Sequence, residues 1–197
     1  MEKEKIMEAY LQLQLLEASI GATKGDKTVE DLIRKVILCS FKDIKREARK
    51  HKTCKRKAVG CVILEVNLKD DLIQHFAAMN GASGAKNKCS GIKGACGCSH
   101  SEPRAIMRYL KQRKLRIKRS YVKTILLTTF SSCVNCANII IDSGVIDFVA
   151  YEYLATHWAT PPRDAKAMLD RSLIHCSKKQ IIEDTDNKLI RKWLQGK

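Results

Sequence analysis

Residues 121–153 read YVKTILLTTFSSCVNCANIIIDSGVIDFVAYEY. The stretch opens on a run rich in Ile, Leu and Thr that predicts a strand over 121–129. After two serines, apolar residues recur at helical spacing through CVNCANIIID, predicting a helix over 133–143. Ser143-Gly144 ends it, and VIDFVAYEY predicts a second strand over 145–153. Strand, helix and strand in so short a span form a crossover unit, which puts the two strands parallel in one sheet.

The flanks extend the alternation. Upstream, AVGCVILEV from Ala58 and LIQHFAAMN after Asp70-Asp71 read as two strands of a hairpin. A helix is predicted over about 100–113, another over 162–171, and a last one over about 186–195. Nearer the start, Thr28 followed by Asp31 resembles an N-terminal capping arrangement for a helix reaching about Lys50. Residues 1–20 carry Ile6, Met7, Tyr10, Leu11, Leu13, Leu15 and Leu16 in an approximately helical pattern that stops at Gly21. The expected fold is α/β, three-layer α/β/α, with helices packed on both sides of a mixed sheet of about five strands. The domain organisation is an extra N-terminal helix and linker over 1–26 and one domain over 27–197.

Composition limits what such a fold can be for. A chain of 197 residues suits one core, and 45% hydrophobic with 6% aromatic residues excludes a disordered or collagen-like chain. No apolar run approaches the roughly 18 residues that cross a bilayer, and MEKEKIMEAY lacks a signal peptide's apolar stretch, so an intracellular, cytoplasmic protein with no membrane partner is expected. The net charge of +16 suggests an anionic substrate or a polyanion. The run RYLKQRKLRIKRS, from Arg108 to Ser120, reads either as a solvated helix end or as a nucleic-acid contact.

Nine cysteines are a heavy load of thiols for a reducing compartment, and an odd number argues against a complete disulfide framework. Metal ligation is the better use. His100-Ser101-Glu102 begins one predicted helix, and Cys133-Val134-Asn135-Cys136 begins another. A lone C-x-x-C is as readily a redox pair, and a lone histidine as readily a hydrogen-bonded core residue. Together, one imidazole and two thiols suit Zn²⁺ with a fourth position open for water, the arrangement of a catalytic site. Cysteines three apart at a helix N-terminus share a face, where the helix dipole favours thiolates. Glu102 would then reach the water without binding the metal, and H-x-E with C-x-x-C is the pattern of zinc nucleobase deaminases.

On these residues the chain resembles the cytidine deaminase superfamily and, within it, the deoxycytidylate (dCMP) deaminase family. CKRKAVGCVI, AMNGASG, CSHSEPRAI, TTFSSCVNCANIIIDSGV and DRSLIHCSK carry the likeness in order, from about residue 30 to 177. Phe130 before the cysteine pair is closer to the dCMP deaminase form than to that of tRNA adenosine deaminases. Pro103-Arg104, Ser132 and Met79 depart from the family pattern without removing a metal ligand or Glu102.

The resemblance implies zinc-dependent hydrolysis of dCMP to dUMP with release of ammonia, supplying dUMP for thymidylate synthesis. It implies Glu102 as proton carrier and His100, Cys133 and Cys136 as zinc ligands. The Ser101 backbone N–H would hold the pyrimidine carbonyl and the Ser131 carbonyl the amino group. Asn80 would meet the deoxyribose hydroxyl, where its other reading is a turn residue tolerant of positive φ. Arg56 and Lys57 would meet the phosphate, Arg104 stands at the usual sugar-contact position, and Tyr151 or Tyr153 is placed to stack on the base. Homo-oligomers and regulation by dCTP and dTTP are family traits.

Four further cysteines, Cys54, Cys89, Cys96 and Cys98, cluster around a glycine-rich stretch with Gly at 81, 84, 91, 94 and 97. Four thiolates can close a structural zinc site and order such a loop, and phage-type dCMP deaminases have an additional structural zinc in this region. Cys39, Cys61 and Cys176 lie in apolar settings and are expected to be buried. His51, His75, His157 and His175 show no ligand spacing.

Two other functions compete. A polynucleotide deaminase acting on tRNA or single-stranded DNA fits the net charge and the basic run. A non-catalytic zinc-stabilised nucleic-acid-binding module fits the charge but leaves Glu102 without a use.

Overall fold

Thr28 opens the helix α1 (Val29–Lys50) with the predicted reciprocal cap: its N–H donates to Asp31 Oδ2 at 3.3 Å, and the Asp31 N–H donates to Thr28 Oγ1 at 3.3 Å. Glu30 and Asp31 sit at the positive end of the helix dipole, Arg49 and Lys50 at the negative end. Ile33, Val36, Ile37, Phe41, Ile44 and Ala48 recur at helical spacing and are buried, so one stripe of α1 faces the core. Cys39 lies off that stripe and is exposed, which corrects the expectation that it is buried. Cys61 and Cys176 are buried as expected.

The computed structural model describes residues 28–50, 54–67, 72–82, 89–92, 97–112, 122–154 and 162–195. The helix expected over 1–20 lies outside them, as do Cys96 and residues 113–120 of the basic run. After α1 come β1 (Gly60–Asn67), β2 (Leu72–Met79), the short β3 (Gly81–Ala82) and β4 (Cys98–Ser99), then α2 (Ser101–Gln112). The crossover unit follows as β5 (Val122–Phe130), α3 (Val134–Asp142) and β6 (Phe148–Tyr153). The chain continues through α4 (Pro162–Ser172), β7 (Ile174–Ser177), α5 (Lys178–Glu183) and α6 (Lys188–Leu194).

The main sheet has five strands in the order β2-β1-β5-β6-β7. β1 runs antiparallel to β2 and β5, whereas β5, β6 and β7 are mutually parallel. Alternating side chains divide the core between the two faces. Val62, Leu64, Val66, Ile125, Leu127, Phe148 and Ala150 pack with α1, α5 and α6. Cys61, Ile63, Leu126 and Val149 pack with α2, α3 and α4. The three-layer α/β/α architecture is therefore as the sequence predicts.

Sequence reasoning expected about five strands but bounded only four. The fifth, β7, is four residues long, and its extended form comes from pairing with β6, Phe148 opposite Ile174. Helix α5 also went unpredicted, although Ser177 and Gln180 form a capping box at its start. The tail is tied to α1: Arg34 donates to the Ile181 and Ile182 carbonyls at 3.1 and 2.7 Å, and Asn187 Nδ2 donates to Asp31 Oδ1 at 2.6 Å. Asn187 adopts positive φ (54°) at the start of α6.

Candidate active site

The end of β5 and the starts of α2 and α3 meet at one point. Cys133 is the N-cap of α3, with extended φ and ψ of −77° and 169°, and Cys136 lies one turn on. His100 immediately precedes α2. The His100 Nδ1 atom stands 3.2 Å from Cys136 Sγ and 3.5 Å from Cys133 Sγ. At ordinary zinc bond lengths, a tetrahedral ion separates an imidazole nitrogen from a thiolate sulfur by about 3.6 Å. The donor set and its spacing thus fit zinc, and among the described residues no fourth donor joins the cluster.

The electrostatics suit that use. The Cys136 thiol donates toward Cys133 and, with the His100 imidazole, holds the Cys133 thiol down at about 4 against the cost of burial. Cys136 is correspondingly raised by sharing that proton and by burial. Zinc binding would displace the proton that the two thiols share. Glu102 on α2 is 4% exposed, and burial raises its carboxyl above the ordinary value. The Ser101 hydroxyl, fully buried, donates to Glu102 Oε2 at 3.1 Å. Sequence reasoning gave Ser101 only a backbone role, since a side-chain rotamer leaves no trace in residue spacing.

The residues expected to contact substrate surround this centre unevenly. Asn80 Oδ1 accepts from the Val59 N–H at 2.9 Å and its Nδ2 donates to the Lys57 carbonyl at 3.0 Å, so the amide clasps the segment leading into β1. Asn80 is not among the residues of positive φ. The Lys57 ammonium lies over the Phe130 ring, 4.7 Å from its centroid, and Phe130 packs on Tyr153 at 5.6 Å. Tyr153 is 42% exposed, and its hydroxyl accepts from Lys45 of α1, a partner that sequence reasoning missed across a separation of 108 residues. Tyr151, in contrast, is buried beside the His175 ring, which removes it as a stacking surface. Ser131 is buried, with its N–H donating to the Tyr153 carbonyl at 2.8 Å. Arg56 is half-buried, and Arg104 is exposed on α2.

A second cluster lies at the other end of the Cys98-Ser99 strand. Cys54, Cys89 and Cys98 bring their sulfurs within 4.8 Å of one another, with Cys54 and Cys89 at 3.8 Å. The Lys55 N–H donates to Cys89 Sγ at 3.4 Å and is the main cause lowering that thiol to about 7. Cys96, the fourth expected ligand, falls outside the described residues.

Residues 39–152 match the family model for the cytidine and deoxycytidylate deaminase zinc-binding region. No curated protein matches the chain. Among solved structures, the chain is similar to the apo dCMP deaminase of cyanophage S-TIM5, with a TM-score of 0.51 and 19% identity over 73% of this chain and 97% of that one. The complex of that phage enzyme with dCMP and dUMP gives a TM-score of 0.53 and 20% identity over 73% and 96%. The Rib2 deaminase of Aspergillus oryzae at pH 4.6 gives 0.53 and 11% over 80% and 98%. These likenesses establish the fold.

Proposed function

The chain belongs to the cytidine and deoxycytidylate deaminase zinc-binding family and is on that ground a zinc deaminase; we propose that its substrate is dCMP, converted with water to dUMP and ammonia. The observation that carries the reading is the convergence of His100, Cys133 and Cys136 at zinc-ligand spacing beside the buried Glu102.

His100, Cys133 and Cys136 would hold zinc, which would lower the pKa of a water in its open position toward neutrality. Glu102 does the proton work. Its carboxylate accepts the water proton as the C–O bond forms at C4 of cytosine and passes it to N3, then carries the remaining hydroxyl proton to the amino group, which leaves as ammonia as the C4 carbonyl forms. Burial moves the Glu102 carboxyl upward, toward the range in which one group can both take and give a proton near neutrality. The Ser101 hydroxyl restrains the carboxylate through Oε2, while the Ser101 N–H and the Ser131 carbonyl are the proposed partners of the base edge. Asn80 is the proposed sugar contact, with Arg56, Lys57 and Arg104 for the charged and hydroxylated parts of the nucleotide and Tyr153 for the base. Because Asn80 bonds the Lys57 carbonyl, the sugar and phosphate contacts are mechanically joined.

We assign Cys54, Cys89, Cys98 and Cys96 to a second, structural zinc. Two thiolates on a tetrahedral zinc stand about 3.8 Å apart, the spacing of Cys54 and Cys89. Residues 27–197 are proposed to form the deaminase domain, with both core clusters built on one sheet.

The rim of Lys57, Phe130 and Tyr153 also favours a second reading, a single-stranded polynucleotide whose neighbouring base stacks there. Comparing dCMP, deoxycytidine and a cytosine-containing oligonucleotide separates the two: turnover of dCMP supports the first, and activity on the oligomer alone overturns it. Glu102→Gln should retain zinc and lose about 10²-fold or more in turnover of dCMP. A variant with undiminished turnover would remove Glu102 from the mechanism.

A further inference from the structure

At the starts of the parallel strands, the end of β5 opposite the zinc ligands, lies a cavity of about 380 Å³. It is lined by Lys123 at the start of β5, Asp147 before β6, Arg171 at the end of α4, Leu173 just after it, and Lys192 and Trp193 of α6. Seven residues of β5, about 23 Å of strand, separate Lys123 from Phe130 at the catalytic end. The volume falls in the range of small-molecule sites.

Three cations against one carboxylate line this cavity. Among the described residues, no ion pair engages Lys123, Arg171 or Lys192. The carboxylate is occupied: Asp147 Oδ2 accepts from the Thr124 N–H at 2.8 Å and from its hydroxyl at 2.9 Å. Ile146, Leu173, Ile174 and Trp193 supply the apolar part of the lining. Trp193 is 1% exposed, and among the described residues its Nε1–H has no acceptor. That nitrogen is itself sealed from solvent, so Trp193 backs the cavity with its ring and offers it no donor.

We propose that this cavity binds a small organic phosphate, its phosphoryl group held by Lys123, Arg171 and Lys192 and its apolar part laid against Trp193 and Leu173. Arginine and lysine together favour a dianionic phosphoryl group over a neutral ligand. The apolar wall favours an ester over the free ion. The site is separate from the nucleotide contacts at the other end of β5 and does not depend on what the deaminase acts on.

Phenyl phosphate and inorganic phosphate, titrated calorimetrically into the full zinc-loaded chain, test this. Phenyl phosphate should bind about tenfold more tightly than phosphate, since its ring leaves water. The Lys123→Gln/Lys192→Gln double variant, altered only at side chains with no ion-pair partner among the described residues, should weaken phenyl phosphate at least about tenfold. Lys57→Gln should leave that affinity unchanged. Equal affinity in the parent and the double variant, a loss confined to Lys57→Gln, or no binding at millimolar phenyl phosphate would overturn the assignment.

Discussion

Replacing Cys89 by serine isolates the second metal cluster from the first. The Cys54 and Cys89 sulfurs stand 3.8 Å apart, and Cys98 joins them within 4.8 Å. Zinc–sulfur bonds of about 2.3 Å at tetrahedral angles require about 3.8 Å between sulfurs, so this pair is already set at bonding distance. A serine hydroxyl is a harder and far weaker acid than a thiol, and at neutral pH it cannot replace the thiolate. The parent chain should therefore hold about two zinc ions and the Cys89→Ser variant about one. Native mass spectrometry counts both directly. Cys39→Ser, on the exposed side of α1, is the control and should keep the parent's count. Because Cys98 lies two residues before His100, the variant should also yield its remaining zinc to a chelator faster than the parent does. A parent with about one zinc, or a Cys89→Ser chain that keeps about two, would refute the reasoning.

Two further perturbations test the scaffold. A Cβ added at Gly60 would meet the Ile44 carbonyl oxygen at 2.8 Å, Met79 Sδ at 3.0 Å and Ala48 Cβ at 3.2 Å. Gly60→Ala should accordingly destabilise the fold by about 1–3 kcal/mol, read as a lower urea midpoint, and Ala48→Gly should fail to restore it because the helix carbonyl remains. An unchanged midpoint would mean that α1 and β1 are not packed this closely. His175 is buried with Nδ1 at 2.9 Å from Asp170 Oδ1, near Lys166 and the Tyr151 ring, and burial lowers its pKa below 6.5 despite the carboxylate. The unfolded chain then binds the proton first, so this residue's contribution is complete above pH 6.5 and is lost as the pH falls toward the folded-state pKa. Thermal melts of the parent and of His175→Asn should diverge across that interval, the variant losing less; parallel curves would contradict the sign.

The parts of the fold legible in the sequence were those whose signal is local. Thr28 and Asp31 announce a helix because the cap closes within one turn. The β-branched apolar run through Val62, Ile63 and Leu64 announces a strand, whose pleat turns Val62 and Leu64 to one layer and Ile63 to the other. The C-x-x-C spacing announces a ligand pair because one helical turn brings the two sulfurs to the same side. What escaped depends on distant partners. β7 is extended because β6 lies beside it, and Tyr153 is fixed by Lys45 from another element. Cys39 shares α1 with many apolar neighbours, and only the direction of the sheet decides which of them are covered. The Ser101 hydroxyl and the orphaned Trp193 indole are matters of orientation.

The clasp between α1 and the tail has a consequence for synthesis on the ribosome. Arg34 waits for the carbonyl of Ile181, 147 positions later, and Asp31 waits 156 for the amide of Asn187. At translation rates of about 5–20 residues per second, the oily side of the first helix stands without its final cover for roughly 7–30 s. During that time the nascent chain presents Ile33, Ile37 and Phe41 to whatever surrounds it, which makes α1 the segment a chaperone would grip.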